Sequence, residues 1–279
     1  MINFLKKIHI HPFFWVIIAM GVLSGRFKEV LMLLFIVFVH EMGHVWMARR
    51  FHWDVIKIEL LPFGGAAVLE PKGIRPAREE AWIVCWGPFQ HSWMIGLSYI
   101  LLHTTDVWMI QDHHLFISHN IAILLFNFIP IHPLDGGRLV HLLYSAFLPY
   151  KQAMKATWLT SLILLTLGFF VVLVLMLKLN LMMIFSFLLL TLILDYRQRN
   201  YRFIRFLMAK INDQTSTKQS ALYVERETTL KVVSEQIRKN HLHTIVVENN
   251  ARYTYSLEAV LDAYFQKGSH VTIDELDKR

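Results

Sequence analysis

Two histidines and a glutamate lie within five residues of one another in the segment His40-Glu41-Met42-Gly43-His44. Side chains four positions apart share one face of an α-helix, so His40 and His44 could bind the same metal ion. Glu41 would lie beside that ion and take a proton from the attacking water, as a general base does. The pattern therefore predicts zinc-dependent peptide hydrolysis, with His40 and His44 as metal ligands and Glu41 as the catalytic residue.

The sequence immediately before this motif, LMLLFIVFV, has no polar side chain. A charged group in the middle of a bilayer costs about 2.5–3.5 kcal/mol on insertion scales. Ionisable side chains are therefore rarely kept in such a segment without a use. The position of the motif favours chemistry that takes place within the membrane or at its surface.

A catalytic zinc usually has three protein ligands and one open position, so a third ligand must come from elsewhere in the chain. We expect it to be Asp135, which lies in NFIPIHPLDGGR, the segment from Asn127 to Arg138. Two prolines before it interrupt a helix, and two glycines after it let the backbone approach a neighbour. Two alternatives stay open: Asp135 could be the N-cap of the next helix, or His132 could be the ligand.

The composition indicates a membrane protein. The chain has 279 residues, is 55% apolar and has a mean hydropathy of +0.41, whereas soluble domains are about 45–50% apolar. Its net charge of +7 could suggest nucleic acid, but membrane proteins also collect Lys and Arg in cytoplasmic loops. We therefore predict contact with the lipid bilayer and no nucleic-acid partner.

Six segments are apolar and long enough to be candidate spans: residues 8–25, 29–49, 81–103, 114–130, 157–178 and 181–196. Only Arg26, Lys28 and Lys178 would lie in the outer loops, so the positive-inside rule predicts that both termini are cytoplasmic. The predicted fold is a polytopic α-helical membrane protein with about six transmembrane helices and a small C-terminal α/β domain.

Three regions follow from the changes in composition: a transmembrane metalloprotease domain at 1–196, a basic segment and linker at 197–220, and a soluble domain at 221–279. The basic segment is either a helix end that obeys the positive-inside rule or an amphipathic helix on anionic lipid. The last region predicts strand, helix, strand, turn, strand and helix, with the turn at NNAR.

The pair of motifs, HEMGH and N-x-x-P-x-x-P-L-D-G-G about ninety residues later, resembles the site-2 protease family of intramembrane zinc metalloproteases. The resemblance implies one zinc ion per chain, held by His40, His44 and Asp135, with Glu41 as the catalytic glutamate. It also implies that Asn127 helps to position the substrate or its oxyanion. The family's Gly-Pro element matches the segment from Trp86 to His91, but His91 replaces a common asparagine and receives no role.

The C-terminal pattern is similar to one cystathionine-β-synthase (CBS) repeat, which the sporulation members of that family carry. This resemblance implies that the substrate is a membrane-associated pro-sigma factor (pro-sigma-K), processed in the mother-cell membrane around the forespore. It also implies inhibitory membrane protein partners and ATP at the CBS-like domain. Because one repeat is half of the usual pair, a homo-oligomer formed through these domains is expected.

The segment Ile58–Pro71 alternates apolar residues around Gly64 and Gly65 and would lie on the cytoplasmic side. It predicts a re-entrant loop or an edge hairpin, to which an extended substrate could add a strand; a packed surface loop is the alternative. The predicted substrate-binding residues are Asn127, Gly64, Gly65 and Pro133.

Two other kinds of function fit parts of the sequence. Buried His and Asp could carry ions in a transporter or zinc-responsive protein, or the chain could be a silent scaffold whose CBS-like domain senses nucleotide. The remaining histidines are expected to be interfacial or solvated; they include His9, His11, His113, His114, His241 and His243.

Overall fold

The computed structural model describes residues 8–10, 18–19, 21–61, 64–70, 73–175, 179–211, 213, 218–248 and 253–276. These residues form two compact units. The first contains Met1–Lys72, Arg78–Ile129 and Leu134–Gly136, and the second contains Gly73–Ala77, Pro130–Pro133 and Gly137–Arg279.

In the described residues, the first unit has three long helices and a small sheet. In chain order its elements are β1 (Ile8–Ile10), α1 (Phe27–Arg50), β2 (Asp54–Leu61), β3 (Gly64–Glu70), α2 (Ala77–Thr104) and α3 (Ile110–Phe128). The three helices pack around a buried apolar cluster formed by Met32, Ile36, Met94 and Phe116. This packing holds the HEMGH segment of α1 against α2 and α3.

The sheet of the first unit has the order β1-β2-β3, with β1 parallel and β3 antiparallel to β2. The hairpin of β2 and β3 packs beside α1, and β3 is an edge strand of the sheet as described. The prediction of an edge hairpin in Ile58–Pro71 is therefore confirmed for the described residues.

The second unit contains a short helix, a helical hairpin and an α/β domain. Its elements are α4 (Asp135–Phe147, whose first two residues belong to the first unit), α5 (Tyr150–Leu175), α6 (Leu179–Ile211), β4 (Lys218–Val224), α7 (Leu230–Glu235), β5 (His241–Val247), β6 (Thr254–Ser256), α8 (Leu257–Lys267) and a 3₁₀ turn (Ile273–Leu276). The order from β4 to α8 confirms the predicted succession of strands and helices. The NNAR turn, residues 249–252, lies outside the described residues.

The sheet of this domain has the order β4-β5-β6, with β4 parallel and β6 antiparallel to β5. Its core includes Leu230, Ile237, Ile245 and Leu261, and it also takes in Leu207 from α6. The last turns of α6 are thus part of the same apolar core as the C-terminal domain.

Three described helices are long and apolar enough to cross a membrane by length and composition: Phe27–Arg50, Tyr150–Val174 and Leu181–Ile211. They overlap the second, fifth and sixth predicted spans. The third predicted span lies within α2, and the fourth is helical as far as Phe128, where α3 ends, but neither helix meets that criterion.

The first predicted span, 8–25, is wrong at its start, because Ile8–Ile10 pairs with Ile58–Leu60 as a strand. Residues 11–17 and 20 of that span lie outside the described residues. The sixth helix, α6, runs unbroken through the composition change at residue 197 and carries the basic residues as far as Ile211.

Candidate metal centre

The helix α1 places His40 and His44 on its buried face, one turn apart. Both imidazoles are almost fully buried, with exposed fractions of 3% and 2%, and Glu41 beside them is buried as well. A side chain at Gly43 would meet the carbonyl of Trp86 at 2.7 Å. The glycine therefore lets α1 approach α2 closely enough to enclose the two histidines.

Asp135 completes a triangle of ligand atoms with the two histidines. Its Oδ2 lies 3.1 Å from Nε2 of His40 and 3.2 Å from Nε2 of His44. The two Nε2 atoms are themselves 3.1 Å apart. The structure thus brings together the three residues that the sequence predicts as metal ligands; it groups these three side chains as a possible metal site among the described residues.

The tautomer of His44 follows from its second ring nitrogen. Nδ1 lies 2.8 Å from the backbone carbonyl oxygen of Ile83, and a carbonyl only accepts hydrogen bonds. Nδ1 of His44 must therefore carry the proton and donate it. In the neutral ring, the lone pair is then on Nε2, which faces Asp135.

A chain of hydrogen bonds fixes the tautomer of His40 in the same way. Asn120 donates from Nδ2 to the carbonyl of Phe116 at 2.8 Å, so its Oδ1 accepts from Nδ1 of His91 at 2.9 Å. Neutral His91 then has its lone pair on Nε2, which accepts from Nδ1 of His40 at 3.1 Å. The lone pair of His40 is left on Nε2, which also faces Asp135.

This donor set fits a zinc ion. Two imidazole lone pairs and a carboxylate oxygen converge within 3.2 Å, and hydrogen bonds at the outer ring nitrogens leave no proton to lie between them. Such an arrangement is repulsive unless a cation lies at its centre. Tetrahedral zinc with bonds of about 2.0–2.1 Å separates its ligand atoms by about 3.3–3.4 Å, so the triangle, with edges of 3.1–3.2 Å, would need to expand only slightly to hold it.

Gly87 makes room for His44. A Cβ atom at this position would lie 2.2 Å from Nε2 of His44 and 2.3 Å from its Cε1. Any side chain at Gly87 would therefore collide with the nitrogen that faces Asp135. Pro88 follows inside α2, and because it has no N–H it cannot donate the helical hydrogen bond to the carbonyl of Val84.

The glycines after Asp135 confirm the prediction that this backbone approaches a neighbour closely. A Cβ at Gly136 would lie 2.4 Å from the carbonyl oxygen of Phe128, and one at Gly137 would lie 2.4 Å from the backbone nitrogen of His132. Asp135 is the first residue of α4 and not the residue before it, and its carboxylate is directed at the two imidazoles.

The alternative ligand, His132, has other neighbours. Its Nδ1 lies 3.6 Å from Oδ1 of Asp195, and its backbone N–H donates to the hydroxyl of Ser161 at 3.0 Å. His132 is also absent from the ligand group found in the described residues. Asp135, and not His132, is the residue whose side chain lies next to the imidazoles of His40 and His44.

The predicted substrate-binding residues lie in three places. Asn127, in the last turn of α3, donates from Nδ2 to the carbonyl of Ile123 at 3.1 Å. Gly64 and Gly65 begin β3 and pair with Leu61 and Leu60. Pro133 lies in the segment before α4, and the substrate role of all four remains a prediction.

Sequence reasoning missed His91, Asn120 and Gly87 as parts of this centre. His91 and Asn120 are fully buried, each with an exposed fraction of 0%. The sequence did carry one signal for them, namely a polar side chain within an apolar helix. Burying such a side chain costs free energy unless it has a hydrogen-bond partner. The partners could not be assigned because the contacts join α1, α2 and α3.

The expectation that the remaining histidines are interfacial or solvated is wrong for two of them. His113 and His243 are buried, with exposed fractions of 3% and 4%. Each bonds a serine: His113 lies 3.0 Å from the hydroxyl of Ser98, and His243 lies 2.7 Å from that of Ser220. These hydroxyl partners compensate for the lost hydration of the rings.

The donor set is one that a metalloprotease would use, and comparison with known proteins agrees. Residues 28–109 match the profile of Peptidase family M50. The chain is 37% identical over 283 aligned residues to Stage IV sporulation protein FB of Bacillus subtilis, which covers 99% of this chain and 97% of that protein.

A second relative is the zinc metalloprotease MJ0392 of Methanocaldococcus jannaschii, 31% identical over 149 residues, 51% of this chain and 43% of that protein. Among solved structures, a site-2 protease from the same archaeon is similar with a TM-score of 0.47 and 23% identity, over 70% of this chain and 89% of that one.

The chain belongs to Peptidase family M50, the site-2 proteases. It is an intramembrane metalloprotease, as the two sequence motifs predict. This membership, together with the complete set of His40, Glu41, His44 and Asp135, leaves the transporter and scaffold alternatives without support.

Proposed function

We propose that this chain cleaves a membrane-associated pro-sigma factor of the pro-sigma-K type during sporulation, at a zinc centre held by His40, His44 and Asp135. The observation that carries the proposal is the convergence of their three ligand atoms within 3.2 Å. The likeness to a sporulation protein along almost the whole chain supports the choice of substrate.

The residues around the centre have distinct roles in this proposal. A bound zinc ion would polarise the scissile carbonyl and lower the pKa of water. Glu41 accepts the proton of the attacking water and returns it to the leaving amine. His91 and Asn120 hold the ring of His40 in one tautomer and orientation, and the Ile83 carbonyl does the same for His44.

The substrate would bind as an extended strand along β3. A helical peptide keeps its carbonyls in internal hydrogen bonds, so it must be straightened before attack. The edge position of β3 and its packing beside α1 support this proposal. Gly64 and Gly65 would allow close approach of the substrate backbone, with Asn127 and Pro133 as further contacts.

The wider arrangement is also part of the proposal. Both termini would be cytoplasmic, with residues 1–196 as the protease domain, 197–220 as the basic segment and linker, and 221–279 as a CBS-like domain. The succession from β4 to α8 supports the last assignment. That domain would bind ATP and pair with a second copy, and partner membrane proteins would inhibit cleavage.

The test of this function is co-expression with a tagged pro-sigma-K substrate. The wild-type chain should yield the shortened product, whereas Glu41→Gln should reduce cleavage by about 10²–10⁴-fold while the purified variant keeps its zinc. Glu29→Gln, on the same helix but outside the centre, is the matched control and should cleave normally. Equal cleavage by wild type and Glu41→Gln would contradict the proposal.

A further inference from the structure

A groove of about 460 Å³ opens between the first turns of α5 and the basic part of α6. Lys151 and Lys155 line it from α5, Arg199 lines it from α6, and Glu235 of α7 lies at its rim. Three cations against one carboxylate give it a net charge of +2. The metal centre does not use any of these residues.

The groove contains two aromatic side chains of the kinds that are common at a membrane surface. Trp158 and Tyr196 also line it, with ring centroids 4.8 Å apart, and Trp158 donates from Nε1 to the carbonyl of Leu192 at 3.2 Å. Long apolar runs of α5 and α6 lie on one side of this pair, and basic residues lie on the other. Trp and Tyr are enriched at such boundaries between lipid tails and headgroups.

The cations in the groove are incompletely paired. Among the described residues, Lys155 has no hydrogen bond or ion pair and is exposed. Arg199 stacks its guanidinium 4.5 Å from the ring of Tyr196, and its buried Nε has no hydrogen-bond partner within the described chain. Only Lys151 has an anionic partner, Glu235 at 2.6 Å.

We propose that this groove binds the phosphate of an anionic phospholipid from the leaflet that the charge distribution assigns to the cytoplasm. Lys155 and Arg199 would contact the phosphate, and the acyl chains would lie along the apolar faces of α5 and α6. Basic pockets between membrane helices recognise lipid headgroups in this way. A nucleotide carries the same phosphate chemistry without the acyl chains, so the test must separate the two sources.

The position of Glu235 gives the proposal a second, opposite prediction. Glu235 lies on α7 of the C-terminal domain and forms an ion pair with Lys151 of α5. A lipid phosphate held by Lys155 and Arg199 would lie near this carboxylate, which would repel it and would keep the ammonium group of Lys151 from adding to the phosphate site. Lipid binding should therefore become stronger when Glu235 is neutralised.

Native mass spectrometry of the full-length protein in mixed micelles of phosphatidylglycerol and phosphatidylcholine tests the groove. The double variant Lys155→Gln/Arg199→Gln should bind phosphatidylglycerol about 25-fold more weakly, since each cation near a membrane surface contributes about fivefold. Arg197→Gln removes the same charge from a different face of α6 and should bind as the wild type does. Equal affinities of the double variant and Arg197→Gln would overturn the proposal.

The Glu235→Gln variant makes the test independent of folding defects, because misfolding does not increase a specific affinity. It should bind phosphatidylglycerol about fivefold more tightly, whereas Glu258→Gln, an exposed carboxylate on α8, should leave the affinity unchanged. If Glu235→Gln bound phosphatidylglycerol no more tightly than the wild type, the result would contradict lipid binding in this groove.

ATP and inorganic phosphate, added to separate samples, identify the source of the phosphate. Retention of phosphatidylglycerol in their presence supports the lipid. Displacement of phosphatidylglycerol by ATP, or ATP binding that Lys155→Gln/Arg199→Gln abolishes, would show that the groove is a nucleotide site and would overturn the lipid proposal.

Discussion

Nε2 of His91 lies 3.1 Å from Nδ1 of His40, and this contact connects a buried histidine of α2 to a proposed zinc ligand of α1. Because Asn120 accepts from the other ring nitrogen of His91, the contact has a defined direction. His40 donates, His91 accepts, and the remaining lone pair of His40 is directed at Asp135.

Replacing His91 should weaken zinc binding without removing a ligand. His91→Leu leaves Nδ1 of His40 without an acceptor, and loss of such an outer partner typically costs 10–100-fold in metal affinity. His91→Asn keeps an acceptor for His40 and a donor for Asn120, so it should restore most of the affinity. The measurement is competition for zinc against a chelator, read as metal content.

The outcome separates orientation from packing. A purely structural role would make His91→Asn, which shortens the side chain and leaves space, as damaging as His91→Leu. Equal zinc affinity in the wild type and His91→Leu would show that the contact does not orient His40.

Gly87→Ala should disrupt the centre, since the new Cβ would lie 2.2 Å from Nε2 of His44. Displacing the imidazole should lower zinc affinity at least tenfold, and overpacking should cost about 1–3 kcal/mol of stability. Gly96→Ala is the control on the same helix, because nothing lies within 4 Å of its Cβ. The zinc affinities of both variants can be measured by titration. Equal affinities would contradict the packing of Gly87 against His44.

Proline substitutions in β3 test the extended binding of the substrate. Consecutive N–H groups of a strand point to opposite edges, so either Ala66→Pro or Ala67→Pro removes a donor from the edge that faces away from β2. Whichever of the two variants loses the outward-facing donor should cleave the substrate at least tenfold more slowly, with its zinc content unchanged. Ser269→Pro in the C-terminal domain offers a distant control, and unaffected cleavage in both β3 variants would exclude strand addition there.

The C-terminal domain should lose stability in mild acid because of His243. The backbone N–H of Arg238 donates to its Nε2 at 2.9 Å, which requires a neutral ring. Burial lowers the pKa of His243 to about 4, and the charges of His241, Lys210 and Arg238 lower it as well. Between pH about 6.5 and about 4, the unfolded chain therefore binds a proton that the folded domain does not.

Stability from this residue is complete above pH about 6.5, falls by up to about 1.4 kcal/mol per pH unit as the pH drops, and levels off below about 4. Hydrogen exchange of β5 amides, corrected for intrinsic rates, measures this loss. His243→Gln accepts the same N–H without titrating, so its slope should be smaller. An identical slope in the variant would assign the acid sensitivity to other groups.

The sequence was sufficient to predict which ligand atoms converge at the proposed metal centre, and it was insufficient to predict the residues that orient them. His40, Glu41 and His44 are linked by helix periodicity, and Asp135 follows from its setting between prolines and glycines. The role of His91 depends on where α1 and α3 lie beside α2, which no local pattern determines.

The same limit explains the outcome at the N-terminus. Ile8–Ile10 carries two isoleucines and precedes an apolar run, as the start of a membrane span would, but it pairs with a strand about fifty residues later. Apolarity predicts burial without specifying whether a helix or a strand achieves it. In the C-terminal domain, where turn residues and β-branched runs delimit short elements, the order of strands and helices was predicted correctly.

X-ray absorption at the zinc K-edge of the purified protein tests the central claim most directly. We expect only nitrogen and oxygen ligands at about 2.0–2.1 Å, with two imidazoles. Asp135→Asn should lose zinc or change that shell, whereas Asp106→Asn, at an exposed position, should not. A spectrum with sulfur ligands, or one that Asp135→Asn leaves unchanged at full zinc content, would contradict the claim that His40, His44 and Asp135 hold the metal.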